Sequence, residues 1–440
     1  MSAYTPDDST PIRDRDQLVE FMLARVKPRE SWVIGTEHEK FGFSPAHQRR
    51  PHFKGEIEEL FLALEREGWR ATRESSGAII SLHQDKASVT LEPGGQLELS
   101  GAPLRSLHDT DRELRDHLEL IGRLSEPLGL MWCGLGSDPT TPAQTPKMPK
   151  ARYQVMRRYL PTRGDLALHM MHSTSTIQCN LDYASEVDAM RKLRASLYLQ
   201  PLVMAMFANS FTLDGARWSG TCARSSIWLR TDPDRYLYPK RWLEPDATLR
   251  DYVDWALEVP MFFIARDGEY LDCAGLPFTQ FMREGVHGHS ATMGDFELHL
   301  STLFPDARLK QHLEVRGADM SSAEYVTALS ALHVGLLYDE QSLDQTLALF
   351  EGVTAEELWS ARATLNHLGF NARVGERSLQ TLSERVIELS RSGLSRYESG
   401  SEHYLDPLAS RVSRGLAPAD EYLESWSRGY DALMGATRLI

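Results

Sequence analysis

Apolar and polar residues alternate with a period of two along several short stretches in the first three quarters of the chain. This predicts strands whose alternate side chains share a face. In residues 32–43 (WVIGTEHEKFGF), Val33, Glu37, Glu39, Phe41 and Phe43 fall on one side. Residues 88–92 and 96–100 flank Pro93-Gly94-Gly95; Ser88, Thr90, Glu92, Gln96, Glu98 and Ser100 oppose Val89, Leu91, Leu97 and Leu99. In residues 174–182 (TSTIQCNLD), Gln178, Asn180 and Asp182 oppose Ile177, Cys179 and Leu181. In residues 312–316 (HLEVR), His312, Glu314 and Arg316 oppose Leu313 and Val315. Residues 224–230 (RSSIWLR) read as a further strand, with Arg224, Ser226, Trp228 and Arg230 on one side.

Between these stretches the period lengthens to that of helices. Residues 106–128 and 186–209 are helical, the second with an apolar face of Val187, Met190, Leu193, Leu197 and Pro201. From residue 323 onward the pattern is almost wholly helical, and Gly369 and Gly393 are placed as helix stops. Two glycine- or proline-rich stretches, 134–149 and 285–294, read as loops, the latter holding His287 and His289. The expected class is α+β: an antiparallel sheet packed by helices in residues 30–320, then a helical region in 321–440, all one domain.

Most of these strands carry Glu, Gln, Asn or Arg on the face opposite their apolar residues, and in residues 32–43 two carboxylates stand in line with three apolar residues. Ionised groups are buried only when paired or metal-bound, so a recurring row of them predicts a concave polar site. Carboxylate and amide oxygens suit Mg2+ shared with phosphates, and arginines suit carboxylate or phosphate partners. No GxxxxGK[ST], strand–GxGxxG–helix, HExxH or GxSxG pattern occurs, which argues against P-loop, dinucleotide-binding, zincin and α/β-hydrolase readings.

Composition narrows the class further. Forty-two per cent hydrophobic and 25% charged residues in 440 suffice for a full core and exclude disordered or fibrous classes. Lys plus Arg number 48 against 62 Asp plus Glu, a formal charge of −14 that disfavours a nucleic-acid partner. No apolar run of membrane-spanning length occurs and the first 30 residues are polar, which predicts a cytoplasmic protein with no membrane partner. Cys133, Cys179, Cys222 and Cys273 form no CxxC pair and read as buried, reduced thiols.

Five motifs then stand out in order: GTEHEKFGF (35–43), LEPGGQLELSGAP (91–103), RYQVMRRYLP (152–161), VPMFF (259–263) and LEVRGAD (313–319). Together they resemble plant-type glutamate–cysteine ligase over most of the chain. The resemblance implies a glutamine-synthetase-like fold and ATP-dependent joining of the L-glutamate γ-carboxylate to the L-cysteine amine through a γ-glutamyl phosphate. The alternative is a γ-glutamyl ligase of the same fold with another amine acceptor.

Carried onto this sequence, the resemblance implies two or three Mg2+ ions, with Glu37, Glu92 and Glu98 on one ion and Glu39, Gln178 and Glu314 on another. Arg316 serves phosphoryl transfer, Arg224 holds the glutamate α-carboxylate, Met261 walls the substrate pocket, and Lys86 and Gln96 lie on the nucleotide side. A general base is not legible; His38, His83 and His172 lie near the site strands. Ser175 stands where a plant regulatory thiol is expected and no cysteine follows Cys273, which argues against a thiol switch and, with no transit peptide, for a bacterial member. A monomer or homodimer is expected.

Overall fold

The computed structural model describes residues 8–74, 76–141 and 145–440. Its centre is a nine-stranded sheet, every ladder antiparallel. From one edge the strands run Ala307–Leu309, Leu313–Asp319, Thr176–Leu181, Ile34–Phe43, Leu97–Ser100, Ala87–Leu91, Ile79–Gln84 and Arg70–Arg73, with Met131–Cys133 pairing on the end of the Ile34–Phe43 strand. The strand with the most carboxylates on its polar face is therefore central. The α+β expectation holds.

Helices Leu107–Ser125, Glu186–Met206 and Ala323–Leu337 cover the apolar underside. Each of the first two begins at a serine (Ser106, Ser185) whose side chain accepts a hydrogen bond from a backbone N–H in the first turn. The underside core is continuous: one apolar cluster runs from Leu18 through Ile177 and Leu313 to Leu337, Leu389 and Val412. The C-terminal helices are thus part of the sheet's own core.

The structure changes several expectations. Residues 224–230 are not a strand: Ala223–Leu229 is a helix, so Arg224 and Trp228 share a face by helical spacing. A seven-residue stretch with both periods present is decided by its surroundings. Gly369 does end a helix, at φ 51°, but Gly393 lies inside helix Leu379–Tyr397. A Cβ there would come 1.9 Å from the Gly335 carbonyl oxygen, so Gly393 permits a close helix crossing. Val187 is exposed, although the helix beyond it is buried almost all round. Of the loop 134–149, residues 142–144 lie outside the described residues. His287 donates through Nε2 to the Asp272 carbonyl, 2.7 Å away, in the 285–294 loop.

A candidate active site on the sheet

The polar face of the central strand divides lengthwise. Glu37 and Glu39 open into a cavity of about 290 Å3, whereas Phe41 and Phe43, on the same face, are sealed against Cys133, Leu135, Phe211 and the C-terminal Leu433 and Met434. Strand register fixes the neighbours: Glu39 lies opposite Glu98, and Glu37 opposite Gln178. Asn180 donates to Glu37 at 2.9 Å, the Thr176 N–H to Glu39 at 3.2 Å, and the Thr90 hydroxyl to Glu98 at 2.8 Å.

Glu92 and Gln96 flank the 93–95 turn, which is clamped from below. Buried Arg50 donates to the Gly94 carbonyl at 2.9 Å and pairs with Asp138 at 2.7 Å. The Gln96 amide donates to the Thr174 carbonyl at 2.7 Å and its oxygen accepts from Gly94 N–H at 3.0 Å. A Cβ on Gly94 would lie 2.3 Å from the His172 carbonyl oxygen, so only glycine fits.

The opposite wall is cationic. Glu314 is ringed by Arg308, which donates through Nε at 2.6 Å, by Lys310 at 2.5 Å and by Arg316 at 3.1 Å. Arg316 also donates to Gln178 at 2.7 Å. The strand bulges between Val315 and Ala318, and Arg224 donates to the freed carbonyls of Arg316 and Gly317, at 2.9 and 3.2 Å. The buried Arg224 Nε keeps no partner among the described residues. Met156, Met170, Met171, Trp228, Phe263 and Phe304 add an apolar lining.

These contacts treat the carboxylates of the cavity unequally. Burial, then the nearby charges of Glu92 and Glu98, push the Glu39 carboxyl well above its usual range; burial, then Glu314 and Glu98, raise Glu37. Burial also opposes a charge on Glu314, but Arg308 and Lys310 outweigh it and hold that carboxyl well below the usual range. Among the described residues, no three His, Cys, Asp or Glu side chains close into a cage for an ion. The donor set nonetheless fits a hard cation: oxygens alone, too many negative charges, and room for the phosphate oxygens that complete a Mg2+ shell.

Comparison with known proteins decides the family. The glutamate–cysteine ligase family 2 model matches residues 33–434. The chain belongs to that family. It is 39% identical over 430 residues to the chloroplastic glutamate–cysteine ligase of Medicago truncatula, covering 96% of this chain and 84% of that one. To the Brassica juncea enzyme it is 40% identical over 418 residues, covering 94% and 81%. The fold resembles that of Francisella tularensis glutamate–cysteine ligase solved with AMP, at 12% identity and a TM-score of 0.58, over 92% of this chain and 87% of that one.

Within this family 2 ligase, Glu37, Glu39, Glu92, Gln96, Glu98, Gln178, Arg224, Glu314 and Arg316 all line the one cavity. Two expected residues do not. Met261 is buried in the underside core and its neighbour Phe263 lines the cavity instead; the Met261 N–H and carbonyl are tied to Leu276 and Gly275, which turns its side chain inward. Lys86 is exposed in the turn between strands Ile79–Gln84 and Ala87–Leu91, away from the lining. Gln96 is at the cavity, but its amide is committed to the turn. His38, His83 and His172 do not line it either: His38 is 1% exposed, within 3.4 Å of Lys40 Nζ, and His172 accepts from Arg157 at 3.2 Å.

Register explains what sequence reasoning missed. Arg308 faces Glu314 across a ladder, a pairing no local pattern announces. Arg152 and Tyr153 line the cavity from helix Arg152–Tyr159, within the RYQVMRRYLP motif.

Proposed function

We propose that the cavity joins the γ-carboxylate of L-glutamate to the amine of L-cysteine at the expense of ATP, the first step of glutathione synthesis. The observation that supports it most directly is the meeting, in one cavity, of a cluster of buried carboxylates with a set of fixed arginines. A carboxylate is a poor electrophile, so it must first gain a leaving group. A γ-carboxylate oxygen bonds to the γ-phosphorus of ATP as the bond to the β,γ-bridging oxygen breaks and ADP leaves. The cysteine nitrogen then bonds to the acyl carbon, the acyl carbon–oxygen bond breaks, phosphate leaves, and the amine loses a proton.

Bound Mg2+, two or three ions in this reading, supplies charge that neutralises the triphosphate and stabilises the transferring phosphoryl group. Strand register supports exchanging Glu37 and Glu39 in the ligand sets expected from sequence: Glu39 with Glu92 and Glu98, and Glu37 with Gln178 and Glu314. Arg224, with its free buried Nε, suits the substrate α-carboxylate. Only Nη1 of Arg316 is engaged among the described residues, which leaves donors for the transferring phosphoryl group. Met170, Met171 and Phe263 exclude water from the acyl intermediate.

A cytoplasmic location belongs to the same reading, since the four cysteines are all buried and unbridged. Among the described residues no helix is long and apolar enough to cross a membrane. The decisive experiment measures phosphate release with ATP, Mg2+ and L-glutamate, with L-cysteine, other amino acids or no acceptor, and weighs the product. Release that depends on both glutamate and cysteine, with γ-glutamylcysteine formed, is expected. Turnover with another amine only would reassign the acceptor, and no turnover would overturn the proposal.

A further inference from the structure

The helix that carries Arg224 and Trp228 has only seven residues, too few to hold its own position. Ser210 holds its first turn, accepting from the Ala223 N–H at 2.6 Å and from the Arg224 N–H at 2.9 Å, and further support comes from the C-terminal region, from helix Ala355–Leu368. Asn366 takes the near end: its Oδ1 accepts from the Cys222 N–H at 3.2 Å and the Trp218 indole at 3.0 Å, and its carbonyl accepts from Thr221 N–H at 3.2 Å. One turn earlier Arg362, 3% exposed, reaches into the core and forms a two-pronged pair with Asp306, itself 5% exposed.

Asp306 is a hub. Its carboxylate accepts from the Tyr236 hydroxyl at 2.9 Å, and its backbone carbonyl accepts from Arg316 N–H at 2.9 Å. The Arg362 guanidinium also lies over the Tyr236 ring, 4.4 Å from its centroid. Tyr236 in turn stacks on Trp228, with centroids 5.6 Å apart and planes 21° off parallel. One buried ion pair therefore touches both walls of the cavity: the Arg224–Trp228 helix through Tyr236, and the Arg316 strand through the Asp306 main chain. A buried ion pair contributes little net stability over apolar residues of the same shape, so stability is a weak reason for its presence.

We infer that Arg362 is a positioning residue: paired with Asp306, it sets the placement of Arg224, Trp228 and Arg316 for reaction without touching substrate. The inference rests on the proposed ligase reading, and its test separates the two.

The test compares Arg362→Met and Asp306→Asn with the double variant in the full-length protein. Each single change strands a buried charge and lowers the thermal midpoint; the double variant removes both charges and recovers most of it. If the pair positions the site, the double variant keeps a glutamate KM raised at least about tenfold and a lowered kcat despite its recovered midpoint, since small misplacements of reacting groups are costly. A fluorotryptophan NMR signal from Trp228, assigned by its loss in Trp228→Phe, reports the displacement without substrate and shifts in the double variant. A double variant with wild-type KM, kcat and Trp228 signal would overturn the positioning role. Absence of wild-type turnover with a shifted Trp228 signal would overturn the ligase reading alone and leave the positioning of the helix supported.

Discussion

Replacing Glu39 with Gln should make the metal-free protein more stable and the enzyme inactive. Glu39 sits directly opposite Glu98 on the neighbouring strand, with Glu92 also acting on its charge. Side chains so paired are about 5 Å apart. At an effective dielectric constant of about 20, two unit charges at that distance repel by about 3 kcal/mol. Because Glu39 is partly exposed at the cavity, water screens some of this, and about 1–2 kcal/mol is the expected gain on neutralisation. The glutamine oxygen can still accept from the Thr176 N–H, so little structure is lost. Thermal unfolding should therefore show the midpoint of Glu39→Gln above wild type in chelator. Added Mg2+ and ATP should raise the wild-type midpoint by more than the variant's, and ligase turnover should fall at least about a hundredfold, as when a phosphoryl-transfer charge partner is removed. A variant less stable than wild type in chelator, or one with full turnover, would refute both the repulsion and its purpose.

Arg224→Ala should chiefly raise the glutamate KM and Arg316→Ala chiefly lower kcat, by about tenfold or more each, because the first is assigned to ground-state binding and the second to transfer; steady-state kinetics with the effects reversed would exchange the roles. Gly94→Ala places a methyl 2.3 Å from the His172 carbonyl oxygen, so the 93–95 turn must shift; a stability loss of about 1–3 kcal/mol and a raised Mg2+ requirement are expected in denaturant and metal titrations. His333 is buried and uncharged, its pKa lowered to about 4 by burial. The unfolded chain then binds its proton between about pH 6.5 and 4 while the fold does not, so stability falls as pH drops through that window, by up to about 3 kcal/mol. His333→Gln should flatten that acid limb in urea titrations, and an unchanged slope would count against a neutral buried imidazole.

Strands were legible wherever alternation was strict, because one face of each must meet the helices. Glu98, Gln178 and Glu314 could be assigned to a polar face from parity alone, since a one-residue slip would have buried them in apolar surroundings, whereas Glu37 shares its parity with Val33, Phe41 and Phe43. Residues 224–230 misled for the opposite reason: in a segment of seven, spacings of two and of four both fit Arg224 and Trp228, and either conformation presents them together. Met261 and Phe263 share parity in VPMFF, so no pattern distinguishes the core residue from the cavity residue; the turn that ties Met261 to Leu276 and Gly275 does.

The order of the motifs and the parity of the carboxylates determined that this chain builds an oxygen-rich, arginine-bearing sheet face, because periodicity and charge are local properties. Which carboxylates face one another was decided only by the tertiary structure. Register sets Glu39 against Glu98 and Arg308 against Glu314, and it arises from long-range strand pairing. The same holds for the buried pair of Arg362 and Asp306: 56 residues apart in sequence, they meet because folding brings the C-terminal helices against the site, and neither has a local reason to be charged.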